Sequence, residues 1–280
     1  MKNKYKILIL FLFTLSTTPC FSDFTISVHF TSGVEEGYKS AFNEAASFWE
    51  TQITGYRYDN RNLQGISISA DIAINDGVGG QLGSAGPTSG YFFNDIILGG
   101  DAAPSDVLYA TAGSMTFDTA DVDYLITAGS WEAVIRHEMA HVMGFGTLWG
   151  YESEGTTYND FYLSESGQYT GAAGLAAYQA EFDGAATYVP IELEGGSGTA
   201  NGHWNEIYEG VGLTGITDLD GNDMARELMT GWLNSPSFVS QTTLGQFYDL
   251  GYTVIPEPSS FLLLVLFGSV GIWIRRRLLL

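Results

Sequence analysis

The chain has 280 residues, 45% of them hydrophobic and 14% aromatic, enough apolar side chain for a packed core and incompatible with a disordered polymer. Acids outnumber bases 32 to 11, and in the stretch from Asp23 to Glu257, where every acid lies, the bases are Lys39, Arg57, Arg61, Arg136 and Arg226 alone. Such a body excludes nucleic acid as a partner, because phosphate binding needs clustered cations; its acidity reads as a solvated surface or as a source of divalent-cation ligands.

The chain begins like an export signal. Lys2, Lys4 and Lys6 precede an apolar run from Ile7 to Leu15, and small and polar residues lead to an expected cut after Ser22. Cys20, the single cysteine, would leave with residues 1–22, and Thr18 and Pro19 before it do not form a lipobox. A mature chain without thiols must fold by core packing or bound metal. Phe24 to Phe30 alternates apolar and polar residues, which predicts a half-buried strand. From Val34 to Ile53, Tyr38, Phe42, Ala45, Phe48, Trp49 and Ile53 recur at three- and four-residue intervals, the stripe of an amphipathic helix. Ile66 to Ile74 alternates again, and a further strand is expected around Ser114 to Phe117. Between them, Gly77 to Gly90 is rich in glycine without a dinucleotide or P-loop pattern and reads as a flexible loop. Strand, helix and strand in this order predict one mixed domain, a sheet with helices packed against it.

Ser130 to Phe145 carries the chemistry. Ser130 is placed to cap a helix, Glu132 sits in its first turn, and neither Gly nor Pro interrupts it before Gly144. Within it stands His137-Glu138-Met139-Ala140-His141. A spacing of four puts both imidazoles on one face, where they can reach the same ion, and Glu138 starts close enough to touch a water on that ion rather than the ion itself. A catalytic zinc usually takes three protein ligands and leaves a fourth position for water. Of the two remaining histidines, His29 falls on the first alternating strand and reads as a core or edge residue. His203 ends the flexible run Gly195 to Gly202, which could bring it to the ion. The competing third ligand is an Asp or Glu between Glu152 and Glu194, which would give a site of two histidines and one carboxylate.

His137 to Phe145 (His-Glu-Met-Ala-His-Val-Met-Gly-Phe), the distant His203-Trp204 and then Glu227-Leu228-Met229 together resemble the leishmanolysin-like branch of the metzincin zinc peptidases. The resemblance covers about Ser114 to Val254. It implies an α+β, zincin-like fold: a mixed sheet and the active-site helix in an N-terminal subdomain, and a more irregular C-terminal subdomain carrying the third histidine and the Met-turn. Most metzincins place their third ligand a few residues beyond the glycine, where this chain has Thr147; leishmanolysin-like enzymes insert a subdomain first, and here 61 residues lie between His141 and His203. By resemblance, His137, His141 and His203 hold one zinc ion, Gly144 turns the chain at the helix end, Met229 lies beneath the metal, and Leu244 to Tyr252 belongs to the last helix. The implied reaction is hydrolysis of peptide bonds in a protein or peptide substrate, with Glu138 taking a proton from zinc-bound water and passing it to the leaving amine. Protozoan leishmanolysin is rich in disulfides and has a propeptide cysteine; neither has a counterpart here. The 25 residues between His203 and Met229 include Asp218, Asp220 and Asn222, alternating oxygens that resemble part of a Ca2+ loop, although Gly221 is out of EF-hand position and no distal Glu is in register.

Pro256-Glu257-Pro258-Ser259-Ser260 leads into a 14-residue apolar run, Phe261 to Ile274, and then Arg275 to Arg277. The run is shorter than the roughly 20 residues of a stable membrane helix, and the arginines set its end at the cytoplasmic face. This order resembles the PEP-CTERM signal, which exosortase-type sorting enzymes of Gram-negative bacteria recognise and cut. The expected organisation is a signal peptide at 1–22, a peptidase domain at 23–255 and a sorting segment at 256–280. The product would associate transiently with the inner membrane and end at the cell surface or outside the cell; a retained single-pass anchor is the alternative. Two functions follow, an exported zinc endopeptidase or a non-catalytic matrix or adhesion protein on the same fold, and the intact Glu138 favours the enzyme. Mass spectrometry of the exported protein is expected to find no peptide from Phe261 onward, whereas full-length chain in washed membranes would favour the anchor.

Overall fold

The alternating and helical stripes set the first elements. The computed structural model describes residues 24–58, 63–73, 76–93, 97–98, 101–102, 106–206 and 212–255. The signal-like segment 1–22 and the sorting-like segment 256–280 lie outside them. Strand β1 (Thr25–Phe30) is followed by a 3-10 turn and helix α1 (Lys39–Gln52), which buries Phe42, Ala45, Ala46 and Trp49 on one face. After β2 (Ile53–Tyr56), strand β3 (Gly65–Ala73) buries every second residue, Ile66, Ile68, Ala70 and Ile72, so its pleat sets one face against the core. Next come β4 (Gly83–Phe93), the short pair β5 (Ile97–Leu98) and β6 (Asp101–Ala102), and the long strand β7 (Val107–Asp118). The main sheet has the order β1-β3-β7-β4, with β1, β3 and β7 parallel and β4 antiparallel at the edge.

The glycine-rich loop expected from Gly77 to Gly90 is corrected here: from Gly83 onward that segment is the edge strand β4. Small residues hid its strand character, since neither β-branching nor alternation marks it. At an edge only one ladder of hydrogen bonds has to form, which is why Gly, Ser, Ala and Pro are tolerated there.

Two helices follow that strand pair. Helix α2 (Thr119–Ala128), which no apolar stripe announces, is capped by Asp118, whose carboxylate accepts from the Ala120 N–H at 2.8 Å. Helix α3 (Trp131–Val142) starts after Ser130, as the sequence predicts, but the Ser130 hydroxyl makes no capping hydrogen bond. Helices α1 and α3 pack on the sheet and on each other. Phe42 meets Phe117 of β7 and Trp131 of α3 edge-on at 5.5 and 5.6 Å, and Trp49 Nε1 donates to the Arg136 carbonyl at 3.0 Å.

The second half is less regular. It comprises the hairpin β8 (Tyr151–Ser153) and β9 (Thr156–Tyr158), β10 (Gln168–Tyr169), α4 (Ala172–Glu181), β11 (Val189–Pro190), α5 (Gln241–Asp249) and β12 (Tyr252–Val254). Aromatic contacts rather than a large sheet hold it: Trp204 packs against Phe145, Trp149 and Tyr169. Strand β12 returns to pair with β2, tying the end of the domain to its beginning. The fold is thus mixed α+β, with a mixed sheet and five α-helices among the described residues. Among those residues no helix is long and apolar enough to cross a membrane.

Trp49 is fully buried where α1, α3 and α5 meet, with Phe247 at 5.2 Å. Trp49→Ala should therefore cost about 3–5 kcal/mol in urea unfolding, and a loss below about 1 kcal/mol would show that this junction is not part of the core.

Candidate metal centre

Helix α3 supplies two imidazoles from one face, one turn apart. It ends at Val142, and Gly144, with φ of +109°, turns the chain back at once. That turn brings the Phe145 carbonyl beneath the helix, where it accepts from His141 Nδ1 at 2.9 Å, while the Thr147 hydroxyl donates to the His141 carbonyl at 2.7 Å. Thr147 thus closes the helix end. At Gly146, φ is +69° and a Cβ would collide with the Gly202 backbone, so the turn can lie directly against the segment that carries His203.

His203 arrives from the far side of the cleft. Its carbonyl accepts from the Glu192 N–H at 3.0 Å, and the next residue, Trp204, donates its N–H to the Met229 carbonyl at 3.0 Å. The run from Gly195 to Gly202 curls so that the Thr199 carbonyl meets His203 Nδ1 at 2.7 Å. His137 Nδ1 lies 2.7 Å from the Leu228 carbonyl.

A carbonyl can only accept, so all three Nδ1 atoms carry the proton and donate, which leaves each Nε2 with a bare lone pair. Those three Nε2 atoms converge, each 3.0 Å from the other two. Burial is the first cause holding all three imidazoles neutral: it lowers His137 to about 4 and His203 to about 3, and it sets His141 well below the usual range, with the neighbouring imidazoles adding to the effect. Three neutral donors with no proton to share repel one another, and a cation common to all three relieves this. The spacing fits: two ligands about 2.0–2.1 Å from a tetrahedral zinc lie about 3.3 Å apart. Imidazole-only sites also suit copper, iron and nickel, so the donor set is compatible with one zinc without identifying the metal. His137, His141 and His203 are close enough to bind one metal ion, and among the described residues no Asp, Glu or Cys joins the cluster. The acids from Glu152 to Glu194 are therefore not drawn into it. His29 stands exposed on the edge strand β1.

Glu138 is buried beside the cluster, and burial pushes its carboxyl up to about 8. It lines a cleft of about 1220 Å³ together with Gly83 and Ala85 of β4, the run before His203 and the turn around Leu228. A Cβ on Gly83 would lie 2.8 Å from Glu138 Oε1, so the absence of a side chain there gives the carboxylate its place. Met229 is fully buried in a turn joined to both arms of the trio, through the Leu228 carbonyl to His137 and through its own carbonyl to Trp204. The three carbonyls that orient the imidazoles have no signature in a sequence, because any residue supplies one. Gly83 was obscured by the loop reading of its segment.

Asp218, Asp220 and Asn222 do not assemble a comparable cluster. Asp218 Oδ1 accepts from the Asp220 and Asn222 N–H groups at 2.9 and 2.7 Å, and Oδ2 accepts from Asn222 Nδ2 at 2.8 Å. The segment is a turn closed by the Asp218 carboxylate.

His203→Ala should lower metal affinity by more than the roughly 10–100-fold typical of an outer-shell change, while His29→Ala should leave metal stoichiometry as in the wild type. Chelator competition on the two variants checks this, and full occupancy in His203→Ala would remove it from the ligand set. In comparison with known proteins, no family model matches the chain and no curated protein matches it significantly.

Proposed function

We propose that the protein is an exported zinc endopeptidase of the leishmanolysin-like metzincin type. The observation that carries this reading is the position of Glu138, one residue from a ligand, buried, and lining the same cleft as the converging imidazoles. A protein using metal only to stabilise its fold has no need of a carboxylate there.

His137, His141 and His203 would hold the zinc ion, which when bound would supply Lewis acidity toward a peptide carbonyl and toward water. Glu138 accepts a proton from the attacking water on a carboxylate oxygen and delivers it to the nitrogen of the leaving amine. Gly83 keeps the carboxylate in the cleft. The edge position of β4 supports an extended peptide as substrate, because an edge strand offers backbone N–H and C=O groups to a chain laid beside it, and Gly83, Ser84 and Ala85 line the cleft next to His137 and Glu138.

Glu138→Gln is expected to abolish casein cleavage while the protein still takes up one zinc, since Glu138 serves the reacting water and not the ion. Loss of zinc together with activity would show that its role is misassigned. A folded, zinc-loaded wild type that cleaves neither casein nor a mixed peptide library would instead favour a matrix or adhesion protein.

A further inference from the structure

We propose that Glu227 is a positioning residue for the metal centre, its carboxylate fixing the attitude of both His137 and His203. This rests on reading the histidine trio as a metal site. Glu227 is 2% exposed, and neither ion pair among the described residues involves it. Its carboxylate instead accepts four hydrogen bonds. Oε2 takes the Met229 N–H at 2.5 Å, and Oε1 takes the Ser240 N–H and hydroxyl, each at 3.0 Å, and the Thr243 hydroxyl at 2.6 Å.

Two routes lead from these bonds to the imidazoles. The first is the turn itself: Oε2 clamps the Met229 N–H, and the residue enclosed by that clamp, Leu228, presents the carbonyl that accepts from His137 Nδ1 at 2.7 Å. The second runs through Thr243, whose hydroxyl donates to Glu227 Oε1 and accepts from Trp204 Nε1 at 2.9 Å, so it fixes the residue next to His203. The Trp204 N–H to the Met229 carbonyl, at 3.0 Å, closes the loop between the routes. One buried carboxylate thus ties the Met229 turn, the start of α5 and the His203 segment into a single frame. Every partner of Glu227 is a donor, so the frame needs an acceptor at both oxygens. An amide of the same size would turn an NH2 group against the Met229 N–H or against the Ser240 and Thr243 donors.

The test is Glu227→Gln in the purified protein, read by zinc affinity through chelator competition, by the visible spectrum of the Co2+-substituted protein and by thermal unfolding. A positioning role predicts that the folded variant still binds one metal ion, about tenfold more weakly, with shifted Co2+ d–d bands. Wild-type affinity and spectrum accompanied only by a lower Tm would overturn the proposal and make Glu227 a packing residue. Should Glu227→Gln fail to fold, Thr243→Val and Thr243→Ser decide: the valine breaks the link from Trp204 to Glu227 and should weaken metal binding and shift the spectrum, while the serine keeps both at wild type. Wild-type behaviour of both Thr243 variants would overturn the proposal. A wild-type protein that takes up neither Zn2+ nor Co2+ would overturn the metal-centre reading itself, a result distinct from unchanged binding in the variants.

Discussion

Three imidazole nitrogens with bare lone pairs lie 3.0 Å apart in the cleft, and none has a proton to offer the others. Burial favours the neutral rings over the protonated ones. Each ring is held from behind by a backbone carbonyl, those of Leu228, Phe145 and Thr199. A cation shared by the three rings turns this unfavourable contact into a favourable one, and its binding would add to the stability of the fold.

The convergence depends on how the two halves meet. Helix α3 belongs to the sheet half and rests on α1 and β7, while His203 and Met229 belong to the half built from short strands and stacked aromatics. Phe145 and Trp149, directly after α3, enter the aromatic cluster around Trp204, so the segment that leaves the first two ligands also packs against the neighbour of the third. The antiparallel edge strand then borders the cleft on its sheet side, and Gly83 lets it approach Glu138 more closely than any side chain would permit.

Much of this was legible in the residues. The period of two in Ile66 to Ile74 and the stripe from Phe42 to Trp49 gave β3 and α1, because burial on one face dictates those periods. The four-residue spacing of His137 and His141 placed both on one face of α3, and the scarcity of histidine left His203 as the leading partner. Other features could not be read. Strand β4 lacks the β-branched alternation that announces a strand. Helices α2 and α4 are short and take their place from packing. The carbonyls of Phe145, Thr199 and Leu228 act through the backbone, which every residue shares. At Asp218, Asp220 and Asn222 the alternating oxygens suggested a cation, and the structure shows the Asp218 carboxylate accepting from the Asp220 and Asn222 N–H groups and the Asn222 side chain.

X-ray absorption at the zinc edge of the metal-loaded protein tests the central claim most directly, because it reads the donor set without relying on activity. The account predicts one zinc per chain with three imidazole nitrogens about 2.0–2.1 Å from the metal and one further light-atom ligand. A best fit with two imidazoles and a protein carboxylate, or the absence of stoichiometric zinc uptake, would contradict it.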